Sequence, residues 1–209
     1  MSHNTHIHKI AELTMRPLAD TALRPNHVTT ARLLTGIAAA GCLAVGQDPW
    51  PLIGGGLFVV SVILDRADGV LARMTDRMSP GGHLYDLIAD AACNTLILIG
   101  LGVGLRHSDL GALSMLYGLI AGFSVAAILW MVMKIENMAG YRAAELPSYA
   151  GFDVDDLVLL IPIGVWAGWS KPILLGGAVI APVVALIFAA MLLKRLRAAK
   201  AAQAPNAPE

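Results

Sequence analysis

Apolar residues fall along this chain in six long runs separated by short polar breaks. The first extends from Val28 to Gly46, and the second starts near Leu52 and continues to about Thr75. A third covers His83 to Leu105, a fourth Gly111 to Met133, a short fifth about Val154 to Trp169, and a sixth Pro172 to Leu193. Runs of about twenty apolar residues are long enough to cross a hydrocarbon core of roughly 30 Å. Lipid tolerates no unpaired backbone, so each run is predicted to be helical. Turn chemistry punctuates them, with Asp48-Pro49-Trp50-Pro51 after the first and Ser79-Pro80-Gly81-Gly82 after the second. Pro162 and Pro182 are expected to kink their helices rather than end them. Ahead of the first run, His8 to Leu23 alternates charges with Ile10, Leu13, Met15, Leu18 and Leu23. That pattern predicts a short amphipathic helix at the membrane surface, open to a break at Pro17. Residues 1–25 lack the uninterrupted apolar core of a cleavable signal peptide. The Ala/Pro-rich tail from Ala198 is expected to be disordered. The chain therefore divides into an interfacial segment, 1–26, a six-helix membrane domain, 27–197, and a tail, 198–209. The fold class is an all-α membrane protein.

Composition and charge sharpen this picture. The 209 residues are 56% apolar and only 14% charged, where a soluble domain usually carries about a quarter. A formal net charge of zero gives no basic field for a nucleic-acid partner. The cations are unevenly placed. With the N-terminus cytoplasmic, that side holds Lys9, Arg16, Arg24, Arg32, Arg73, Arg77, Lys134, Arg142, Lys194, Arg195, Arg197 and Lys200. The other side holds Arg106 and Lys171, with Arg66 left inside the second run. This asymmetry puts both termini in the cytoplasm and Trp50, Trp166 and Trp169 at the outer interface. Cys42 and Cys93 lie in apolar runs and read as packed hydrophobes. Gly100 with Gly104, and Gly118 with Gly122, form small-xxx-small pairs suited to close helix packing, within the chain or at a dimer seam.

Four aspartates break the apolar pattern. Asp65 and Asp68 lie in the second run, and Asp86 and Asp90 in the third. Each costs on the order of 2.5–3.5 kcal/mol at mid-membrane. Asp65, Asp68, Gly69 and Ala72 share one helix face; Asp86 and Asp90 share a face of the next. The intervening Pro-Gly-Gly turn predicts antiparallel neighbours whose acidic faces converge near the cytoplasmic leaflet. Four carboxylates in one dehydrated pocket repel, and two nearby arginines are too few to neutralise them. Hard divalent cations, Mg²⁺ or Mn²⁺, suit such an all-oxygen set. Gly69 and Ala72 leave room for a ligand, and Arg73 at the rim is placed for a phosphate. Intramembrane acids also mark cation or proton transport, although a cation pathway has no need of Gly69-x2-Ala72-Arg73.

The segment matches D-x2-D-G-x2-A-R-x8-G-x3-D-x3-D at Asp65, Asp68, Gly69, Ala72, Arg73, Gly82, Asp86 and Asp90. This pattern resembles the signature of CDP-alcohol phosphotransferases. Arg24-Pro25-Asn26-His27-Val28-Thr29 is similar to the P-N-x-hydrophobic-T element that begins that family's first helix. The resemblance covers about residues 8–197 and implies a six-helix core and a homodimer. It also implies a reaction: an alcohol attacks the β-phosphate of a CDP-linked lipid, most often CDP-diacylglycerol, and CMP is released. On the same basis Asp65, Asp68, Asp86 and Asp90 bind one or two divalent ions, with Asp90 also the general base. Asn26, Asp68, Gly69, Ala72, Arg73 and Ser79 contact the cytidine diphosphate. The site would face the cytoplasm from the inner membrane. Lys134 and Arg142 read either as contacts to a phosphorylated acceptor, such as glycerol 3-phosphate or an inositol-type polyol, or as ordinary positive-inside residues. Asp153, Asp155 and Asp156 are expected to cap the fifth helix. His3, His6 and His8 read as a flexible tail, and His83 lies at the mouth.

Overall fold

The computed structural model describes residues 24–139 and 158–203. Helix α1 spans Pro25–Val45, α2 Trp50–Met74 and α3 Pro80–Gly104, which ends in a 3-10 turn, Leu105–His107. Helix α4 spans Leu113–Ala139, α5 Leu160–Trp166 and α6 Ser170–Gln203. The described residues contain no strand. The interfacial helix expected at His8–Leu23 and the segment carrying Arg142, Asp153, Asp155 and Asp156 lie outside the described residues.

Local chemistry sets the helix ends. Gly46 closes α1 in the left-handed conformation, φ 75°, which glycine adopts without a Cβ penalty. Ser79 caps α3 by accepting the Gly82 amide at 3.0 Å, with Pro80 in the first turn. Pro162 falls in the first turn of α5, where its missing N–H interrupts nothing. Pro182 lies inside a continuous α6. Helix α6 also runs past the boundary drawn at Ala198, since Ala198–Gln203 is helical. The alanines there favour helix; residues 204–209 lie outside the described residues.

By length and apolarity α1, α3, α4 and α6 can cross a membrane. Helix α2 matches them in length, 25 residues, but carries Asp65, Arg66, Asp68 and Arg73 in its second half. The described part of α5 is only 7 residues long.

The packing departs from expectation in one respect. Helices α2 and α3 hardly touch; α1 lies between them and packs extensively on both. Helix α4 then packs on α3, α6 on α4, and α5 on α2. A short connection brings helix ends together but does not oblige the helices to pair along their length. The buried stripe of α1 explains the outcome: Gly36, Ala39 and Ala40 are small, so neighbours can close on both flanks. A Cβ on Gly36 would strike Cys93 of α3 and Ser61 of α2, and one on Gly100 would strike the Ala40 carbonyl. Gly118 meets α3 as closely, since its Cβ would lie 2.8 Å from the Leu98 carbonyl oxygen. These glycines seat helices within the chain. Ala39, Leu43, Phe58, Ile97, Leu101 and Leu174 form the central core, and Met131, Ile135, Phe188 and Leu192 a second core between α4 and α6.

One end of the bundle is tied by backbone contacts. Arg106 Nη1 donates to the carbonyls of Ala44, 2.6 Å, and Val103, 2.8 Å. Trp166 Nε1 donates to the Leu52 carbonyl at 3.1 Å. Lys171 pairs with Asp109, whose pKa is lowered by the hydrogen bond it accepts. The aspartates occupy the opposite end, where α1 begins.

Candidate active site

Three helices bring polar groups to a common depth. At 1.5 Å per residue, Arg32 lies about 10 Å from the start of α1 and Asp65 about 14 Å from the end of α2. On α3, Asp86 lies about 9 Å and Asp90 about 15 Å from its start. Thr29 and Arg32 project from the same stripe of α1 as Gly36 and Leu43, at spacings of three, seven and fourteen from Thr29. The face that packs α1 against both neighbours therefore also delivers a hydroxyl and a guanidinium between the acidic helices.

Asp65, Asp68 and Asp86 each offer a carboxylate oxygen, and these atoms lie within 4.8 Å of one another. Asp68 is the most enclosed, 3% exposed, and its Oδ2 accepts Thr29 Oγ1 at 2.7 Å. Arg32 is likewise 3% exposed. Its Nη1 lies 2.6 Å from Asp65 Oδ1 and 2.9 Å from Asp86 Oδ1, and its Nη2 2.6 Å from Asp90 Oδ1. Asn94 Nδ2 donates to the same Asp90 oxygen at 2.7 Å. Arg66 Nε is farther away, 3.8 Å from Asp65 Oδ2. The Arg32 Nε is buried and has no acceptor among the described residues. Three of the four aspartates thus form one cluster, and Asp90 joins it through Arg32.

This donor set fits a hard divalent cation. It is all carboxylate oxygen, and Mg²⁺ or Mn²⁺ prefers such ligands. Oxygens about 2.1 Å from a common ion lie roughly 3–4 Å apart, so small side-chain movements bring these three into range. Two buried arginines, Arg32 and the more distant Arg66, against four carboxylates still leave a negative excess among the described residues for an ion to offset.

The mouth is built from helix starts. A Cβ on Gly82 would lie 3.0 Å from Ser79 Oγ and 3.3 Å from Asn26 Oδ1. The Ser79 and Asn26 side chains therefore meet over Gly82. Thr30 Oγ1 and Tyr85 OH share a hydrogen bond of 2.9 Å beside them. Arg73 lies over Gly69, since a Cβ there would fall 3.6 Å from its Nη1. Ala72 is half-buried one turn along, and His83 is exposed. Lys134 is exposed near the end of α4, a helix that packs on α3 and α6.

Arg32 and Thr29 are the site residues that sequence reasoning missed. Arg32 stands inside the first apolar run, and a buried cation needs a partner for the same reason that a buried aspartate does. Counting it with the cytoplasmic cations concealed that signal. Thr29 carried none beyond its place in the P-N-x-hydrophobic-T element.

The family model for CDP-alcohol phosphatidyltransferase matches residues 22–200. The chain is 36% identical over 87 residues to the bifunctional IPC transferase and DIPP synthase of Rubrobacter xylanophilus. That match takes in 42% of this chain and 19% of the relative, so the chain spans a minor part of that protein's length. The signature residues lie within residues 22–200 that the family model matches, on the helices that assemble the cluster. The chain belongs to the CDP-alcohol phosphatidyltransferase family.

Proposed function

We propose that this protein transfers a phosphatidyl group from CDP-diacylglycerol, or a related substituted phosphoryl group from another CDP-alcohol, to a small alcohol with release of CMP. The observation that carries the reading is the convergence of Asp65, Asp68 and Asp86, from both halves of the family's signature, within 4.8 Å. Glycerol 3-phosphate and inositol-type polyols are the favoured acceptors. Asp65, Asp86 and Asp90 lie about 9–15 Å along their helices from the nearer helix ends, a depth suited to a lipid-linked pyrophosphate. The lysine and arginine distribution supports a cytoplasmic placement of that end, with the protein in the inner membrane. The family resemblance implies a homodimer.

Each residue then has a role. Asp65, Asp68 and Asp86 hold one or two Mg²⁺ or Mn²⁺ ions, with Asp90 at the edge of the set. A bound divalent ion offsets charge on the pyrophosphate and aligns donor with acceptor. Thr29 fixes the Asp68 carboxylate through its hydrogen bond. Asn26, Ser79, Gly69, Ala72 and Arg73 border the space for the cytidine diphosphate, where Arg73 supplies a charge-assisted contact to phosphate. The alcohol oxygen bonds to the β-phosphorus while the bond from that phosphorus to the bridging oxygen breaks. CMP carries that oxygen away, and Asp90 takes the alcohol proton. Lys134 and Arg142 are candidates for the acceptor's own phosphate.

The test is an acceptor screen with purified protein, radiolabelled CDP-diacylglycerol and Mg²⁺ or Mn²⁺, with lipid products resolved by mass spectrometry. Metal-dependent CMP release with a matching phosphodiester product is expected. Absence of CMP release with every acceptor, alongside cation flux in proteoliposomes, would favour transport through the aspartates instead.

A further inference from the structure

We infer that Arg32 is a built-in counter-ion of the acidic cluster, competing with the divalent ion for Asp65 and Asp86 while positioning Asp90. The inference rests on the metal-site reading above and assigns α1 a part in it.

Four observations carry it. Arg32 belongs to α1, yet its guanidinium contacts carboxylates from both α2 and α3. Those two helices hardly touch otherwise, so Arg32 is a direct electrostatic bridge between them. Its backbone is also held in place, because Ser61 Oγ and Thr35 Oγ1 both donate to the Arg32 carbonyl, at 3.0 and 2.8 Å. Gly36, one turn along, lets Ser61 and Cys93 approach this point. The side chain therefore emerges from a fixed platform.

The buried Nε has no acceptor among the described residues, although an unsatisfied buried donor is costly. The two η nitrogens hydrogen-bond to carboxylates while Nε is left over, so the placement follows the negative charge rather than full donor satisfaction. Finally, the two η nitrogens engage different groups. Nη1 is shared by Asp65 and Asp86, both members of the three-carboxylate cluster. Nη2 goes to Asp90, outside that cluster and already held by Asn94.

The consequence is a division of labour. A cation bound by the cluster shares Asp65 and Asp86 with Arg32 and is repelled by the guanidinium at short range. Asp90 keeps its contacts to Nη2 and Asn94, so its carboxylate stays oriented. Arg32 is thus a positioning residue whose removal should move metal affinity and activity in opposite directions. Lysine is a poor replacement, since a point charge cannot fork between helices as a guanidinium does.

The experiment compares wild type, R32Q and R32K in detergent. Mn²⁺ binding is followed by electron paramagnetic resonance, thermal unfolding by tryptophan fluorescence with EDTA or Mn²⁺, and turnover by CMP release. In R32Q, Mn²⁺ should bind roughly tenfold more tightly. Its Tm should fall in EDTA and recover with Mn²⁺ by more than the wild-type increment. Turnover should nevertheless fall by about 10–100-fold, as for loss of an outer-shell partner. R32K should keep near-wild-type Mn²⁺ affinity but lose at least about tenfold in kcat. It also serves as the test if R32Q does not fold. The inference is overturned if R32Q binds Mn²⁺ no more tightly than wild type, or if R32K turns over normally. Failure of the wild type itself to bind Mn²⁺ would overturn the metal site along with it, so the two failures are distinguishable.

Discussion

The two ends of the bundle handle charge in opposite ways. At the end where α1 meets α2, Arg106 donates to main-chain carbonyls of Ala44 and Val103, and the Lys171–Asp109 pair is largely exposed. These cations close helix ends and remain near water. At the other end Arg32 is buried among carboxylates from two helices, and Asp68 is buried beside Thr29. Burying ions costs several kcal/mol each unless they are well paired. A stable fold needed only the first arrangement. The second concentrates negative charge at one end of the bundle, and α1 supplies Thr29 and Arg32 as its partners.

The sharpest way to break this comparison is to neutralise the acidic end. D65N, D68N and D86N should each abolish metal-dependent CMP release, because each removes an oxygen charge from the cluster. D90N should lower turnover by about 10²–10⁴-fold, the range of a lost general base, while Mn²⁺ binding to the other three aspartates persists. Full activity in D90N would remove Asp90 from the proton-transfer role. Chelation by EDTA should silence the wild type, and Mn²⁺ or Mg²⁺ should restore it.

An intermediate effect is expected at the support of Asp68. T29V keeps the shape of the side chain and deletes the 2.7 Å donor to a buried carboxylate. An unsatisfied buried acceptor costs about 1–3 kcal/mol, so Tm should drop in EDTA. A bound cation should recover part of that loss by drawing on the same carboxylate. Equal losses with and without Mn²⁺ would separate Thr29 from the metal site.

The packing of the helices gives a control away from the acids. G118L places a large side chain where a Cβ already falls 2.8 Å from the Leu98 carbonyl. Overpacking of this kind costs about 1–3 kcal/mol, so Tm should fall to a similar degree in EDTA and in Mn²⁺. Insensitivity to Mn²⁺ distinguishes a structural seam from the site.

Much of the site was legible in the sequence because its residues are improbable where they stand. Asp65, Asp68, Asp86 and Asp90 interrupt apolar runs, and their spacings of three and four place them on helix faces. Ser79 followed by Pro80 announces a helix start. The arrangement of α1 was not legible in the same way. A turn between α2 and α3 suggested that they pair, whereas the small stripe at Gly36, Ala39 and Ala40 lets α1 enter between them. Small residues favour close approach on any side, so their positions alone do not name the partner. Arg32 was hidden by its own ambiguity. A cation near a cytoplasmic helix end satisfies the positive-inside rule, and only the depth of the opposing acids shows that it is an ion-pair partner.

The smallest expected effect lies at the opposite end, and it tests whether that end is as uninvolved as its contacts indicate. D109N removes the carboxylate that pairs with Lys171. Both side chains have substantial exposure, and exposed ion pairs contribute little after screening and lost side-chain freedom. The lowered pKa of Asp109 has the same origin. Its folded pKa is depressed, so any stability from the pair is present above the ordinary aspartate pKa and is lost as pH falls through the lower value. That window lies well below neutrality. At pH 7 the Tm of D109N should be unchanged within error in low salt and in high salt, and CMP release should match wild type. A clear loss of turnover in D109N would mean that the α3–α4 connection and the start of α6 communicate with the aspartates across the bundle. The division between a structural end and a chemical end would then have to be abandoned.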